Sequence, residues 1–325
     1  MLLALTTAGL ALGLNGVLPP PGAVLGDAFG SEFALQDLCL LVAPLILTGL
    51  AVTVGLRAGA WNIGAEGQFG AGAIAAAGIG LFVPGPTSLV LPLMVLGGVC
   101  AGALWIAVPA LARAYAGVSE LITTLLLNFV AQLLVSWLAT GPWLDPGGRA
   151  IATSARVAPE IPVFWGDVHW GLPVAIALTL GIGALLSFTT LGYEIRLCGS
   201  NSRAAHYVGI PVRRRLIQVM LLSGALAGLA GAFELAGTVH RLQGGIANNY
   251  GYLGVMVAVL ARRSTPGVLG GAAFMAVLLS LGSVLSTRGV SASAVVAVTG
   301  LVLFYVAIAD ELAHYRLSRS PGAGA

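Results

Sequence analysis

Long apolar runs dominate the sequence, and short breaks rich in glycine, proline, arginine or acidic residues separate them. A helix that crosses a membrane needs about 20 mostly apolar residues. Ten runs approach this length, near residues 2–18, 37–56, 61–82, 89–112, 121–140, 171–190, 215–238, 250–261, 266–286 and 292–309. The pattern predicts an all-α, polytopic helical bundle in which residues 1–325 form one transmembrane domain.

Two of these runs are shorter than a comfortable span. The run at residues 2–18 resembles a signal peptide but lacks a basic region and a clear cleavage site, so we expect a retained first helix. The eighth run, 250–261, is expected either to be a half-helix or to join the ninth run around a break. The connections at 140–171 and 189–215 are long, and the second is the most polar stretch of the chain.

The positions of the arginines predict the orientation of the bundle. All fifteen basic residues are arginine, and with the N-terminus inside the cell eleven lie on cytoplasmic connections and four on outer ones. Cytoplasmic loops carry an excess of basic residues. We therefore expect both termini in the cytoplasm, the 189–215 loop on the same side, and the 140–171 loop outside.

The composition excludes a water-soluble fold. Hydrophobic residues make up 58% of the chain and charged residues 8%, with a mean hydropathy of +0.97, whereas soluble domains carry roughly 25% charged residues. Many of the 46 glycines lie inside apolar runs. Gly224 and Gly228, four residues apart, match the small-residue spacing that lets membrane helices pack closely. The three cysteines are scattered, so we expect no disulfide, metal or cofactor.

The stretch AGAWNIGAEGQFGAG, residues 58–72, places three polar side chains between apolar runs. If it is helical, Asn62 and Glu66 share one face and Gln68 points elsewhere. Glu66 either reaches the surface or caps a neighbouring helix, or it belongs to a partly unwound segment that lines a pathway. Ionisable residues inside membranes usually face a bundle interior or water, so the pathway is the favoured interpretation.

Two further features carry polar groups into the apolar runs. The fifth run has polar residues at every fourth position, which act either as hydrogen-bonding glue between helices or as the wall of a hydrated path: Glu120, Thr124, Asn128, Gln132 and Ser136. Glu234 lies near the outer end of the seventh run and either pairs with Arg241 or forms an outer gate. The four histidines are isolated and no catalytic pattern stands out, so we do not expect an enzyme.

Six stretches resemble, in order, one family of transporters: GLRAGAWNIGAEGQFGAGA, VSELITTLLLNFVAQLL, GPWLDP, TTLGYEIRLCGSNSRAAHYVGI, LSGALAGLAGAFELAG and GYLGVMVAVLARRSTPGVL. They are similar to bacterial ABC importer permeases of the branched-chain amino acid/simple-sugar superfamily. The NIGxEGQ signature of the nucleoside-type subgroup reads NIGAEGQ here, with Trp61 where phenylalanine is common. The resemblance extends from Leu50 to about Leu285.

The resemblance implies a permease subunit in the bacterial inner membrane, surrounded by membrane lipid. It implies a cytoplasmic ABC ATPase that hydrolyses the ATP, a second and usually non-identical permease, and an extracytoplasmic substrate-binding lipoprotein, with no nucleic-acid partner. The expected solute is a nucleoside or a related uncharged molecule. A simple sugar is the alternative within the same class, and a proton-coupled carrier using Glu66 or Glu234 is the alternative outside it.

The candidate site residues fall into two groups. The residues expected along the substrate path are Trp61, Asn62, Glu66, Gln68, Thr124, Asn128, Gln132 and Glu234, with Asn128 and Gln132 meeting the solute. By the resemblance, the 189–215 loop docks on the ATPase, which implies coupling roles for Glu194, Arg196, Gly199, Asn201, Ala204, Ala205 and Gly209. Here the small alanines would sit in a groove of the partner while Arg196 and Arg203 supply charge.

Overall fold

A computed structural model describes residues 21–147 and 152–291, together with residues 293, 297, 300, 301, 304, 305 and 308. This part of the chain is mainly helical, which confirms the predicted all-α class. Residues 36–276 form one compact unit, and residues 1–35 with 277–325 form another. The predicted run at 2–18 and most of the run at 292–309 lie outside the described residues.

Eleven α-helices have bounds that the described residues define. They are α1 (Pro21–Phe29), α2 (Glu32–Arg57), α3 (Ala65–Phe82), α4 (Thr87–Ala116), α5 (Glu120–Thr140), α6 (Gly171–Phe188), α7 (Thr190–Ser200), α8 (Ser202–Tyr207), α9 (Val212–Phe233), α10 (Tyr250–Leu260) and α11 (Thr265–Thr287). A π-helix, Glu234–Val239, continues α9. The sequence pattern did not predict α1.

Six of the described helices are long and apolar enough to cross a membrane: α2, α4, α5, α6, α9 with its π-helical end, and α11. The count of ten spans and the cytoplasmic location of both termini stay predictions. The eighth run forms the 11-residue helix α10, which is about 16 Å long at 1.5 Å per residue. Only residues 261–264 separate α10 from α11, so both expected alternatives, a half-helix and a run that joins the ninth around a break, stay predictions.

Glycines bring α3, α4 and α9 into backbone contact at the centre of the 36–276 unit. A Cβ atom placed on Gly228 in α9 would lie 2.2 Å from the carbonyl oxygen of Gly98 in α4, and one on Gly231 would lie 2.0 Å from that of Phe69 in α3. Such distances leave no room for any side chain. The close helix packing predicted from the small-residue spacing is confirmed.

The described part of the 140–171 loop runs along the C-terminal end of α9. It contains a short antiparallel hairpin, β1 (Val163–Trp165) with β2 (Val168–His169). Ahead of the hairpin, the backbone N–H groups of Ser154, Val157 and Ile161 donate to carbonyl oxygens of Leu242, His240 and Ala236 at 2.9 Å each. These three bonds attach the loop to the π-helix and to the segment that follows it.

Candidate functional site

The backbone leaves helical geometry between α2 and α3, at the stretch that the sequence singled out. α2 ends at Arg57 and α3 begins only at Ala65. Asn62 therefore precedes the helix, and the prediction that Asn62 and Glu66 share a helix face while Gln68 points elsewhere is wrong. Instead, the side-chain amides of Asn62 and Gln68 face each other and exchange two hydrogen bonds of 2.8 and 2.9 Å.

The Asn62–Gln68 pair belongs to a buried network that holds the break in place. Asn62 Oδ1 also accepts from the Gly64 N–H at 3.0 Å, and Asn62 Nδ2 donates to Ser223 Oγ at 2.8 Å. Ser223 in α9 then donates to the carbonyl oxygen of Ala51 in α2 at 2.6 Å. Buried polar groups need such partners, and this network supplies them where the helix is interrupted.

Glu66 holds the N-terminus of the short helix α10. Its side chain is 3% exposed, its Oε1 accepts from the Asn249 N–H at 3.2 Å, and its Oε2 accepts from the Gly251 N–H at 2.8 Å. The first N–H groups of a helix lack partners within the helix and carry a partial positive charge. Glu66 therefore caps α10, and it does not reach the surface. We call this contact between Glu66, Asn249 and Gly251 the Glu66 junction.

The sequence IANNYGY makes the junction, and the sequence analysis missed it. Asn248 and Asn249 both have positive φ, 43° and 62°, a conformation that asparagine tolerates better than most residues. A Cβ atom on Gly251 would lie 2.1 Å from the backbone nitrogen of Glu66, so only glycine permits this approach. Two consecutive asparagines just before an apolar run were the available signal, because asparagine is favoured at turns and helix N-caps.

Asn128 connects α5 to the same region. Its Oδ1 accepts from the Gly67 N–H at 2.9 Å, and its Nδ2 donates to the Ile63 carbonyl at 2.9 Å and to Tyr252 Oη at 3.2 Å. All of these hydrogen bonds join α5 to other segments, so in this structure Asn128 holds neighbouring segments together, as the first of the two alternatives for the stripe predicted. The contact of Asn128 with the solute stays a prediction.

The rest of the polar stripe on α5 divides into buried and exposed parts. Thr124 is buried and donates to the carbonyl oxygen of Glu120 in its own helix at 2.6 Å. Glu120 pairs with Arg113 at 3.2 Å and lies 3.4 Å from the backbone nitrogen of Trp61, whose side chain is exposed. Gln132 is exposed. The predicted stripe therefore does not form one continuous polar wall here.

Glu234 begins the π-helix that continues α9, and its neighbours differ from those predicted. The salt bridge with Arg241 is wrong, because Arg241 pairs with Asp145 at 2.7 Å and also donates to the Ser154 carbonyl. Glu234 Oε2 instead lies 3.4 Å from Thr238 Oγ1, one turn further on. Glu234 is therefore buried without a charged partner among the described residues.

His169 continues this chain of hydrogen bonds into the β1–β2 hairpin. Its Nδ1 accepts from the Gly171 N–H at 3.0 Å, so the ring proton is on Nε2, which lies 3.4 Å from Thr238 Oγ1. Burial lowers the pKa of His169 to about 4, and the nearby His240 acts in the same direction. His169 is therefore neutral near pH 7 and donates toward Thr238 Oγ1, which in turn donates to Glu234 Oε2.

Most of the residues implied for ATPase coupling contact other residues of this chain and so stabilise the 189–215 loop. Glu194 pairs with Arg215, Arg196 donates to the Leu186 carbonyl, and the Asn201 side chain accepts from the N–H groups of Arg203 and Ala204 at the start of α8. Gly199 packs against the Arg57 carbonyl, and Gly209 has a φ of 83°.

The expectation that Ala205 sits in a groove of the partner is wrong. Its side chain is fully buried in a cluster with Cys198 and Ile210, so it is not offered to a partner as expected, while Ala204 is half-buried. The exposed apolar side chains of the loop are Tyr193, Tyr207 and Val208, and the last two are 89% and 67% exposed. The sequence analysis did not select them, although large apolar residues in a polar loop were a visible signal.

Comparison with known proteins identifies relatives over nearly the full length of the chain. The family described as branched-chain amino acid transport system / permease component matches residues 34–307. The glucose ABC transporter permease protein TsgB13 of Haloferax volcanii is 36% identical, over 98% of this chain and 88% of its own length. The guanosine ABC transporter permease protein NupP of Bacillus subtilis is 30% identical, over 83% and 80%. The nucleoside ABC transporter permease protein NupB of Lactococcus lactis is 30% identical, over 87% and 81%.

Proposed function

Because the chain belongs to the family of permease components of branched-chain amino acid transport systems, we propose that it carries an uncharged, hydroxyl-bearing solute along a path beside the Glu66 junction. The chain is a multi-pass permease subunit of an ABC importer and not an enzyme. ATP hydrolysis therefore takes place in a partner ATPase. The alternative of a proton-coupled carrier is set aside, because a permease of this kind is driven by that ATPase.

One observation supports the proposed path: two non-helical segments of the chain come together at the buried carboxylate of Glu66. The non-helical residues 58–64 and the Asn248–Asn249 turn lie on either side of Glu66. Irregular backbone at membrane depth is tolerated only where it is buried in protein or lines a water-filled cavity. In transporters, solute sites form where broken helices expose their ends. The junction is therefore the best-supported place for the path in this chain.

The carboxylate itself is stabilised by the junction. A charged side chain at the centre of a bilayer costs roughly 2.5–3.5 kcal/mol on insertion scales. Two backbone N–H donors and the positive end of α10 offset this cost. A carboxylate has about four acceptor sites in total, so Glu66 retains capacity to accept a hydrogen bond from a hydroxyl group that passes beside it.

The solute class rests on the named activities of the relatives. Guanosine, nucleosides and glucose are uncharged and share a hydroxylated sugar ring, and the NIGAEGQ stretch favours the nucleoside. A simple sugar is the second candidate. It is favoured by the glucose permease, which is 36% identical and aligns over 98% of this chain.

The orientation and the remaining partners complete the proposal. With ten spans, eleven of the fifteen arginines would lie on the same side as the 189–215 loop, and this excess supports a cytoplasmic location for that loop and for both termini. The exposed Val208 would then contact the ATPase. A second, non-identical permease and a substrate-binding lipoprotein outside the cytoplasmic membrane would complete the importer.

Transport by two Glu66 variants tests the path. Glu66→Gln keeps the shape and one acceptor oxygen, so we expect weak uptake. Glu66→Leu removes both acceptors and leaves the first N–H groups of α10 unpaired inside the protein, so we expect insertion without uptake. The assay measures uptake of labelled guanosine and labelled glucose in cells that contain the partner subunits, at matched membrane levels of each variant.

Glu160→Gln is the matched control, because Glu160 is a partly exposed carboxylate on the 140–171 loop whose partner is Arg156. We expect uptake close to that of the unmodified protein. Unchanged uptake by Glu66→Leu would show that the junction has no part in transport, and the proposed path would be wrong. Which of the two labelled solutes enters decides between nucleoside and sugar.

A further inference from the structure

A cavity of about 1110 Å³ lies away from the Glu66 junction, where α4 ends and where α8 and α9 meet. Its lining combines arginines with aromatic and apolar side chains, and we call it the basic groove; the residues that line it include Tyr115, Arg203, Tyr207, Arg213, Arg214 and Ile217. We propose that the basic groove binds the phosphate headgroup of an anionic phospholipid, and that an acyl chain of this lipid follows the adjoining face of α4.

The charges in the basic groove favour an anion. The neighbouring arginines outside it are neutralised, since Arg113 pairs with Glu120 and Arg215 pairs with Glu194. Among the described residues, no carboxylate forms an ion pair with any of the three arginines of the groove. Uncompensated guanidinium groups at one place attract a phosphate, to which arginine can donate two parallel hydrogen bonds.

The N-terminus of α9 also attracts negative charge to the basic groove. Its N-cap, Pro211, has no side chain that accepts from the first turn, and Pro211 also lines the groove. The free N–H groups of a helix N-terminus attract negative charge. Arg213 lies 6.0 Å above the ring of Tyr115, a cation–π arrangement that keeps its guanidinium group at the groove.

The exposed face of α4 supplies the apolar part of the site. Leu104, Val108, Leu111 and Tyr115 follow one another at intervals of four, three and four residues, and all are exposed. This spacing places them on one side of the helix. Leu104 and Tyr115 are eleven positions apart, a distance of about 16 Å along the helix, close to half of the roughly 30 Å hydrocarbon core of a bilayer.

A second, apolar groove lies at the far end of this stripe. It has a volume of about 530 Å³, includes Leu104 and Val108, and is closed on the α5 side by Leu127, Leu134 and Leu138. A cationic groove that leads along an apolar stripe into an apolar groove matches the shape of a phospholipid. Free phosphate or an acidic protein surface would use only the cationic end. By the proposed orientation, the lipid belongs to the cytoplasmic leaflet.

Binding by the purified full-length chain tests the lipid site without transport or ATPase, so its result is separate from that of the uptake assay. Phosphatidylglycerol, phosphatidylcholine and inorganic phosphate are titrated in uncharged detergent micelles, and retained ligand is measured by native mass spectrometry. We expect saturable binding of phosphatidylglycerol, with little binding of phosphatidylcholine or inorganic phosphate.

The double variant Arg213→Gln/Arg214→Gln should weaken phosphatidylglycerol binding about 30-fold, which is about 2 kcal/mol at 1.4 kcal/mol per tenfold. Arg156→Gln removes an arginine of the 140–171 loop that is paired with Glu160, and it should leave binding unchanged. If the double variant fails to fold, Arg213→Lys/Arg214→Lys keeps both charges and should still prefer phosphatidylglycerol over phosphatidylcholine.

Three results would overturn the proposal. Equal binding of phosphatidylglycerol and inorganic phosphate would identify an anion site without a lipid chain. Equal binding of the two lipids would show that the arginines do not select charge. Normal lipid binding by the double variant, together with weaker assembly with the ATPase, would identify the basic groove as a protein contact.

Discussion

At Gly228 the backbone of α9 contacts the backbone of α4, and replacement of this glycine by alanine tests the packing directly. The added Cβ atom would lie 2.2 Å from the Gly98 carbonyl oxygen and 2.8 Å from the Gly102 Cα atom, and both are backbone atoms that cannot rotate away. Overpacking of this kind costs about 1–3 kcal/mol, whereas alanine gains about 1 kcal/mol over glycine in a helix. Because the contact distances are so short, we expect a net loss of about 2 kcal/mol.

Gly181→Ala is the matched control, because Gly181 also lies within a helix, α6, and no atom lies within 4 Å of the added Cβ position. It should keep the helix-propensity gain of up to about 1 kcal/mol, so the two variants should differ by about 3 kcal/mol. Reversible unfolding in mixed micelles, with both variants at equal concentration, measures this difference. Equal stability of the two variants would refute the inference that backbone contact at Gly228 holds α4 and α9 together.

Two further variants test the β1–β2 hairpin and the 189–215 loop. Folding lowers the pKa of His169 from 6.5 to about 4, so as the pH falls the unfolded chain takes up a proton on this histidine before the folded chain does. The free energy of unfolding should therefore be unaffected above pH 6.5. It should fall by roughly 3 kcal/mol between pH 6.5 and pH 4, at 1.36 kcal/mol per pH unit. His169→Gln should lack this loss in thermal unfolding across the same range, and parallel curves would contradict the assignment. Ala205→Glu buries a carboxylate beside Cys198 and Ile210, so substrate-stimulated ATP hydrolysis by the reconstituted complex should be lost, while Ala205→Ser retains it. Unchanged hydrolysis with Ala205→Glu would show that this cluster does not support coupling.

The sequence alone determined the features that depend on local composition. A run of apolar residues predicts a membrane helix wherever it occurs, so the helical class and the short length of 250–261 could be inferred without coordinates. The spacing of Gly224 and Gly228 indicated a packing face because small residues every fourth position lie on one side of a helix. The stretch NIGAEGQ indicated the region of the site because polar residues within apolar membrane runs are rare.

Only the tertiary structure decided which polar groups meet. Glu66 caps a helix that begins 184 residues later in the chain, at Tyr250, and Arg241 pairs with Asp145 rather than with the nearby Glu234. Helix periodicity also failed at Asn62, because the chain is not helical before Ala65. A buried polar atom bonds to whichever partner packing places within about 3 Å, and distance along the chain has no influence on that choice. The sequence therefore determined where polar groups enter the membrane region, and the packing of α3, α9 and α10 determined what each of them holds.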